Sequence, residues 1–502
     1  MQEIYIILSF GILHVELLPA HSNKDVFMLK WKFKSLLILT LLMSINLAKS
    51  HTHFTEMLKD DRNLFVTVKY FDYHLQMLDF ISKDLEILGV DLKRGYIDLY
   101  LSDSEYDWLK SAGYQLNIRN DKSILLRPDT EYKNPAEVES FLKDMHARYP
   151  DLTKLVSIGK SIEGRDIWAI KISDNPNTDE TEPAILFNSM HHAREVMTPE
   201  ISMDIVEYLL TRYEGETKVR HWVDSNEIWV IPMLNVDGNN RVWDGNSMWR
   251  KNVRGGYGVD VNRNYPYKWG ACNGSSGSRW SQTYRGESAG SEPETQALMN
   301  LVASVRPVFD ISYHSYSELV LYPFGCRGEK TATHAVIAGI GNRIGSILDY
   351  RPGTPWEILY GVDGGDVDWM YDQHQVIPYV IELNSSREGF QPRYDQWRDK
   401  TVEKNRPAWQ YLLDRLDETA VRGVLKNSEG EVEKDFVVKV EQVTSTGGLK
   451  LFQKYKSNPD GSFHIVLNPG KYKFTFSKGS RSTKVEALEV SDKRVELSPV
   501  LD

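Results

Sequence analysis

The sequence predicts an α/β protein: a central sheet with helices on both faces, a small α+β unit before it and a small β-sandwich after it. Strand-like apolar runs alternate with amphipathic helical runs through residues 132–415, the pattern of a sheet wrapped by helices. Residues 64–119 mix short alternating strands with helical stretches. From about residue 419 the helical texture stops, and short strands are separated by Asp-Gly, Pro-Gly and Gly-Ser turns. At 502 residues the chain exceeds what one compact core supports, so several domains are expected.

The elements follow in chain order. "MLKWKFKSLLILTLLMSINLAKS" (28–50) has a basic start at Lys30, Lys32 and Lys34. An apolar stretch from Leu36 to Leu47 and small residues at Ala48 and Ser50 complete a signal-peptide pattern. Met28 is therefore read as the true start and residues 1–27 as a non-native extension; a single N-terminal membrane anchor is the alternative. Residues 51–127 are read as one unit. In it "LFVTVKY" alternates as a strand, "HLQMLDFISKDLEILG" reads as one helix, "YIDLYLS" as a strand, "DSEYDWLKSAGY" as a helix and "QLNIR" as a strand. The link "NDKSILLRPDTEYKNP" offers Lys122 and Arg127, the kind of exposed basic sites that proteases cut. The large domain, 128–416, carries strands in "IWAIKIS", "PAILFNS", "EIWVIPML", "VFDISYHS" and "YVIEL", with helices in "PEISMDIVEYLLTRY" and "PETQALMNLVASV". Residues 419–502 form the sandwich, which holds His464 but no cluster of metal-ligand types.

Composition narrows the function. Charged residues are 26% and apolar residues 41%, both ordinary for a globular protein. A net charge of −10, no basic run and no phosphate-binding glycine loop argue against nucleic acid as a partner. Cys272 and Cys326 can pair in a secreted protein, with two free buried thiols as the alternative.

The chemistry concentrates in "MHHAREVMTPE". His192 and Glu195 have the spacing of two metal ligands, but among 13 histidines about one such match is expected by chance. The rest of the chain strengthens it. In an open α/β sheet, reactive groups gather beyond the carboxyl ends of the strands. His192 and Glu195 follow "AILFNSM", His314 follows "VFDISY", and Glu382 ends "YVIEL". Two imidazoles and one carboxylate leave an open position on zinc, as a catalytic site requires. Glu382 is then the candidate general base and acid. Asp260 is the candidate acceptor that fixes the His192 tautomer.

Together "HHARE", "WRKN", "GVDVNRNYPYKWG", "YHSYSELVLYPFG", "YGVDGGDVDW" and "IEL" resemble the M14 zinc carboxypeptidases, the carboxypeptidase A/B family, and in particular secreted bacterial carboxypeptidase T-like enzymes. The likeness covers residues 130–415. It implies a mixed central sheet, one Zn2+ held by His192, Glu195 and His314, and hydrolysis of the C-terminal peptide bond with Glu382 moving protons. It also implies that Arg250 polarises the scissile carbonyl, that Asn262 and Arg263 clamp the terminal carboxylate, and that Tyr360 closes over the substrate. Arg194 and Tyr316 match subsite positions; the first unit resembles an inhibitory activation segment, and the sandwich resembles appended transthyretin-like domains. The expected partners are peptides and proteins with a free C-terminal carboxylate and an activating protease. The protein is expected to be a monomer, secreted, and not held at a membrane once the signal is removed.

Taken singly, Arg250 reads equally well as a solvated arginine, Arg263 as a surface ion pair and Tyr360 as a packing residue. His191 reads as structural and Glu318 as solvated. Competing readings are a relative that trims unusual termini and a catalytically dead binding module. For the terminal side chain, Val367 in the relatives' pocket-floor position points to apolar residues, and Asp366 beside it adds acceptance of Lys and Arg if it reaches the pocket. The bland alternative is that Asp366 only caps a turn.

Overall fold

The computed structural model describes residues 3–8, 11–16, 63–119 and 127–501. The signal peptide, Lys122 and most of the link lie outside them. Strands β1 (Glu3–Leu8) and β2 (Gly11–Glu16) pair as an antiparallel hairpin. Among the described residues they group with Asn63 and residues 102–104; the other described residues form the second unit.

The second unit is built on an eight-stranded sheet. Its strands are β7 (Thr153–Lys160), β8 (Asp166–Ile172), β9 (Ala184–Ser189), β10 (Glu227–Ile231), β11 (Phe309–Ser315), β12 (Leu319–Leu321), β13 (Arg351–Gly353) and β14 (Ile377–Leu383), in the order β13-β12-β14-β11-β9-β10-β8-β7. The central four, β14, β11, β9 and β10, run parallel. β8 and β12 join them antiparallel, so the sheet is mixed. Every residue of β9 and β11 is buried, which requires cover on both faces. Helices Thr198–Arg212, His334–Leu348 and Tyr394–Arg415 pack on one another, as do Pro293–Val305 and Asp366–His374. One apolar core runs through sheet and helices.

Before this body stands a four-stranded antiparallel sheet, ordered β4-β5-β3-β6, from β3 (Leu64–Lys69), β4 (Glu86–Asp91), β5 (Tyr96–Leu101) and β6 (Leu116–Ile118). The run expected as one helix is two elements. The helix spans Tyr73–Ser82, capped by the Asp72 side chain, and β4 follows. Asp84 takes a left-handed turn at φ 56°, which ends the helix and lets Ile87 and Val90 pair with β5.

Helix Tyr394–Arg415 leads into the sandwich. One of its sheets has the order β18-β17-β20-β21, from β17 (Val437–Val443), β18 (Leu449–Lys456), β20 (Gly470–Lys478) and β21 (Arg481–Val490). A second pairs β19 (Ser462–Val466), β15 (Ala420–Val424) and β22 (Val495–Leu497), and β16 (Lys426–Asn427) pairs with β23 (Val500–Leu501) in a short third. Strand β18 was not among the expected strands. Its charged sequence "LKLFQKYK" masks the alternation that places Phe452 against the core.

Candidate active site

Four side chains converge where the parallel strands end. In β11 and β14, His314 stands directly opposite Glu382, so both side chains leave the same sheet face. His192 and Glu195 lie just beyond β9, the neighbour of β11 on its other side. His192 Nδ1 is 2.7 Å from Glu195 Oε1, and His314 Nδ1 is 3.1 Å from Glu195 Oε2 and 3.1 Å from His192 Nδ1. The three are buried and their ligand atoms lie within 4.8 Å of one another.

This donor set fits zinc. Two imidazole nitrogens facing each other across a carboxylate leave a charge and proton imbalance that a divalent cation resolves. Burial would raise the Glu195 carboxyl, but His192 and His314 pull it far below the usual carboxylate range. A second acidic trio, Asp174, Glu180 and Glu182, offers oxygens alone and is half-buried; it does not match zinc's preference.

Around the ligands the polar groups are paired with purpose. Asp260 lies 3.3 Å from His192 Nε2 through Oδ1, while its Oδ2 accepts from Arg250 Nε and Nη2 at 3.1 and 2.9 Å. Burial opposes that carboxylate's charge, yet Arg250, His192 and Arg263 hold it well below its ordinary pKa. The Arg263 guanidinium is anchored on the carbonyls of Gly274 and Asn262 at 2.9 and 2.7 Å. It lies 5.9 Å from the Tyr360 ring. Burial pushes the Glu382 carboxyl up to about 8, against the pull of His314.

One cavity of about 50 Å³ is bordered by His192, Glu195, His314, Glu382, Arg250, Asn262, Arg263, Tyr316, Tyr360, Asp366 and Val367. Cys272 and Cys326 are joined by a disulfide beside it, with Cys272 N donating to Asp363. Asp366 is not in a loop, as its Gly-Gly setting suggested, but opens helix Asp366–His374. Its backbone N donates to Asn262 Oδ1 at 2.9 Å. Its carboxylate accepts no hydrogen bond and lies 3.6 Å from His191 Nε2, which also meets Tyr265 Oη at 2.9 Å. Burial lowers His191 to about 4, so it stays neutral.

No local sequence signal marks how the four-stranded sheet of residues 64–118 meets this cavity. Leu88 and Gly89 of β4 form part of its wall. Glu86 accepts from buried Arg194 Nη1 at 2.5 Å. Tyr316 Oη and Ser386 Oγ donate to Asp98 at 2.9 and 2.6 Å. Tyr73 Oη donates to the carbonyls of Ile358, at 3.2 Å, and Leu359, just before Tyr360. Glu318, expected in solvent, pairs with Lys93 and Lys404 at 3.4 and 3.3 Å. A Cβ on Gly89 would meet the Tyr316 ring at 2.7 Å, so only glycine lets the strand come this close.

Known proteins resemble this chain. A zinc carboxypeptidase family profile matches residues 138–408. A zinc carboxypeptidase of Saccharothrix mutabilis subsp. capreolus is 36% identical over 282 residues, 53% of this chain and 65% of that protein. Zinc carboxypeptidase A 1 of Anopheles gambiae is 30% identical over 314 residues, 58% of this chain and 69% of that protein. The chain thus spans about two thirds of these relatives. Among solved structures, carboxypeptidase A of Helicoverpa armigera shares the fold with a TM-score of 0.61 at 22% identity, over 70% of this chain and 96% of that one. The strand-end ligands, the paired arginines and the matched stretch agree, and the chain belongs to the M14 zinc carboxypeptidase family.

Proposed function

We propose that the protein is a zinc-dependent exopeptidase that removes C-terminal residues from peptides and proteins and is made with its N-terminal unit as an inhibitor. The observation that carries the reading is the convergence of His192, Glu195 and His314 with Glu382 opposite, in one cavity with Arg250 and Arg263.

Bound zinc would polarise the scissile carbonyl and lower the pKa of an attacking water. Glu382 takes that water's proton and delivers it to the leaving amine. Arg250, already oriented by Asp260, donates to the oxygen on which negative charge develops. Arg263 and Asn262 hold the substrate's terminal carboxylate, whose planar geometry matches a guanidinium. Asp260 keeps the proton of His192 on Nε2, leaving Nδ1 as the ligand atom. Tyr360 closes over the bound residue.

The N-terminal unit occupies two subsite groups and holds the loop that closes the site. Glu86 occupies Arg194, Asp98 occupies Tyr316, and Tyr73 holds the loop that carries Tyr360. Cutting near Lys122 or Arg127 by a trypsin-like protease would release it. The signal pattern supports secretion.

Val367 in the cavity wall supports a first preference for apolar terminal residues. The unbonded Asp366 carboxylate supports acceptance of Lys and Arg, with Asp and Glu poorest. Release of free amino acids from a peptide panel, before and after limited proteolysis and with a chelator, tests the whole reading. No release from any peptide by zinc-loaded, cleaved protein would overturn it.

A further inference from the structure

The family match ends at residue 408, short of the sandwich, and leaves that domain without a role. We propose that the sandwich positions the specificity pocket: strand β18 braces helix Asp366–His374 from behind, through Gln453 onto Tyr371, with Phe452 tying the strand to the main core, and so fixes where Asp366 and Val367 stand. The inference rests on the peptidase reading above and extends it to the placement of the terminal side chain's pocket.

Helix Asp366–His374 has only nine residues, and its first turn faces the cavity. A helix this short is held by what packs on it, since its own hydrogen bonds are too few to keep it in place. Tyr371 lies four residues after Val367, on the same side of the helix. Its hydroxyl is a junction. It accepts from Thr333 N at 3.2 Å and from Gln453 Nε2 at 3.1 Å, and lies 3.0 Å from Thr333 Oγ1, which can take its proton. A phenol offers one donor and two acceptor sites, so all are used, and the sandwich supplies one of the three partners. The Tyr371 ring meets Phe324 edge-on at 5.5 Å. The next residue, Gly325, donates its backbone N to Asp368 in the first turn of the same helix, at 2.9 and 3.1 Å.

The rest of β18 follows the same line. Phe452 belongs to both the sandwich core and the main core, and meets Tyr472 edge-on at 5.7 Å. Tyr455 is so placed that burial first, then Tyr371 and Tyr472, raise its hydroxyl well above 10. Beyond the strand, Ser457 accepts from Arg306 Nη1 at 2.9 Å. Arg306 caps helix Pro293–Val305, which packs against helix Asp366–His374. The sandwich therefore grips the pocket helix directly and through its neighbour.

The test uses the full chain after release of the N-terminal unit, with Gln453→Ala, Phe452→Ala and the double variant, on peptides ending in Leu and in Arg. The ratio of kcat/KM for Leu over Arg should shift by about threefold or more, because small displacements of a positioning element are costly. The change should appear in KM, with kcat within about twofold of the parent. Amide hydrogen exchange across residues 366–374 should rise. Gln453→Glu, which accepts the phenol's proton, should retain the parental ratio. A role limited to stability would lower the melting temperature and leave the ratio and the exchange of this helix unmoved, and that result overturns the inference. If the parent releases no terminal residue, the peptidase reading fails on its own, and the exchange measurement still decides whether the sandwich holds the helix.

Discussion

The N-terminal unit and the C-terminal sandwich both pack on the catalytic body, through joints of opposite character. The first joint is made on functional groups: Glu86 on Arg194, Asp98 on Tyr316, Tyr73 on the loop before Tyr360. The second is made on the scaffold. Arg415 donates to the Leu467 carbonyl at 2.9 Å, Arg494 pairs with Asp417, and Val466 enters the main core. The difference teaches what each attachment is for. A domain that satisfies site donors competes with a ligand for them, whereas one that ties down helix ends supports the site from outside.

The comparison presupposes an active body, and Glu382→Gln is the largest blow to it. The variant should bind zinc and fold, with kcat lower by about 10²–10⁴-fold. His314→Ala should lose the metal as well, read by elemental analysis. Near-normal turnover in the pure Glu382→Gln protein would remove the mechanism. Next in size is release of the first joint. Nicking at Arg127 should raise activity by about tenfold or more, and Glu86→Gln in the uncut protein should give part of that rise, because it leaves buried Arg194 without its anion. Equal activity of cut and uncut protein would place the N-terminal unit with the sandwich as mere support.

A smaller effect probes the pocket between the two joints. Asp366→Asn should lower kcat/KM several-fold on peptides ending in Arg and leave those ending in Leu or Phe unchanged. An equal fall on all substrates would mean that Asp366 serves His191 alone.

The smallest effect separates the joints by pH. Burial first, then Arg422, Arg494 and Arg415, lower His464 in the sandwich to about 3, against a small opposing pull from the Leu416 backbone. The unfolded chain binds this proton below about 6.5 while the folded one does not. Sandwich stability should therefore fall as pH drops from about 6.5 towards 3. At the first joint, burial raises Asp98 above its ordinary value. A raised carboxyl binds its proton more readily folded than unfolded, so acidification costs no stability through that group. Melting curves between neutral pH and pH 4 should show the sandwich losing stability, and His464→Leu should flatten that slope.

The catalytic half was readable because its signals are local and sit at strand ends. "VFDISYHS" and "YVIEL" are continuous apolar strands, and each carries its reactive residue next to last, where register brings them together. The helix-covered sheet followed from the alternation of strands and helices, and its mixed character from the family resemblance. The joints were not readable. Glu86 lies in a run whose apolar spacing fits a helix, and only the turn at Asp84 and pairing with β5 make it a strand. Nothing local marks Glu86 or Asp98 as partners of Arg194 and Tyr316, because those contacts span more than a hundred residues. The Gly-Gly pair before Asp366 looks like a turn and is in fact the lead-in to a helix.

Leu319, Leu321, Ile358, Leu359, Val367 and Val380 of the catalytic body share one core with Val66, Val68, Met77 and Phe80 of the N-terminal unit. On the proposed release of the cover, this apolar surface would face water around the mouth of the pocket. The released protein would then be a stickier particle than the uncut one. A chain synthesised without the cover would carry that surface through folding, when exposed apolar side chains most readily drive aggregation. The yield of soluble protein made without the N-terminal unit would measure how far a duty in solubility overlaps with its proposed duty as an inhibitor.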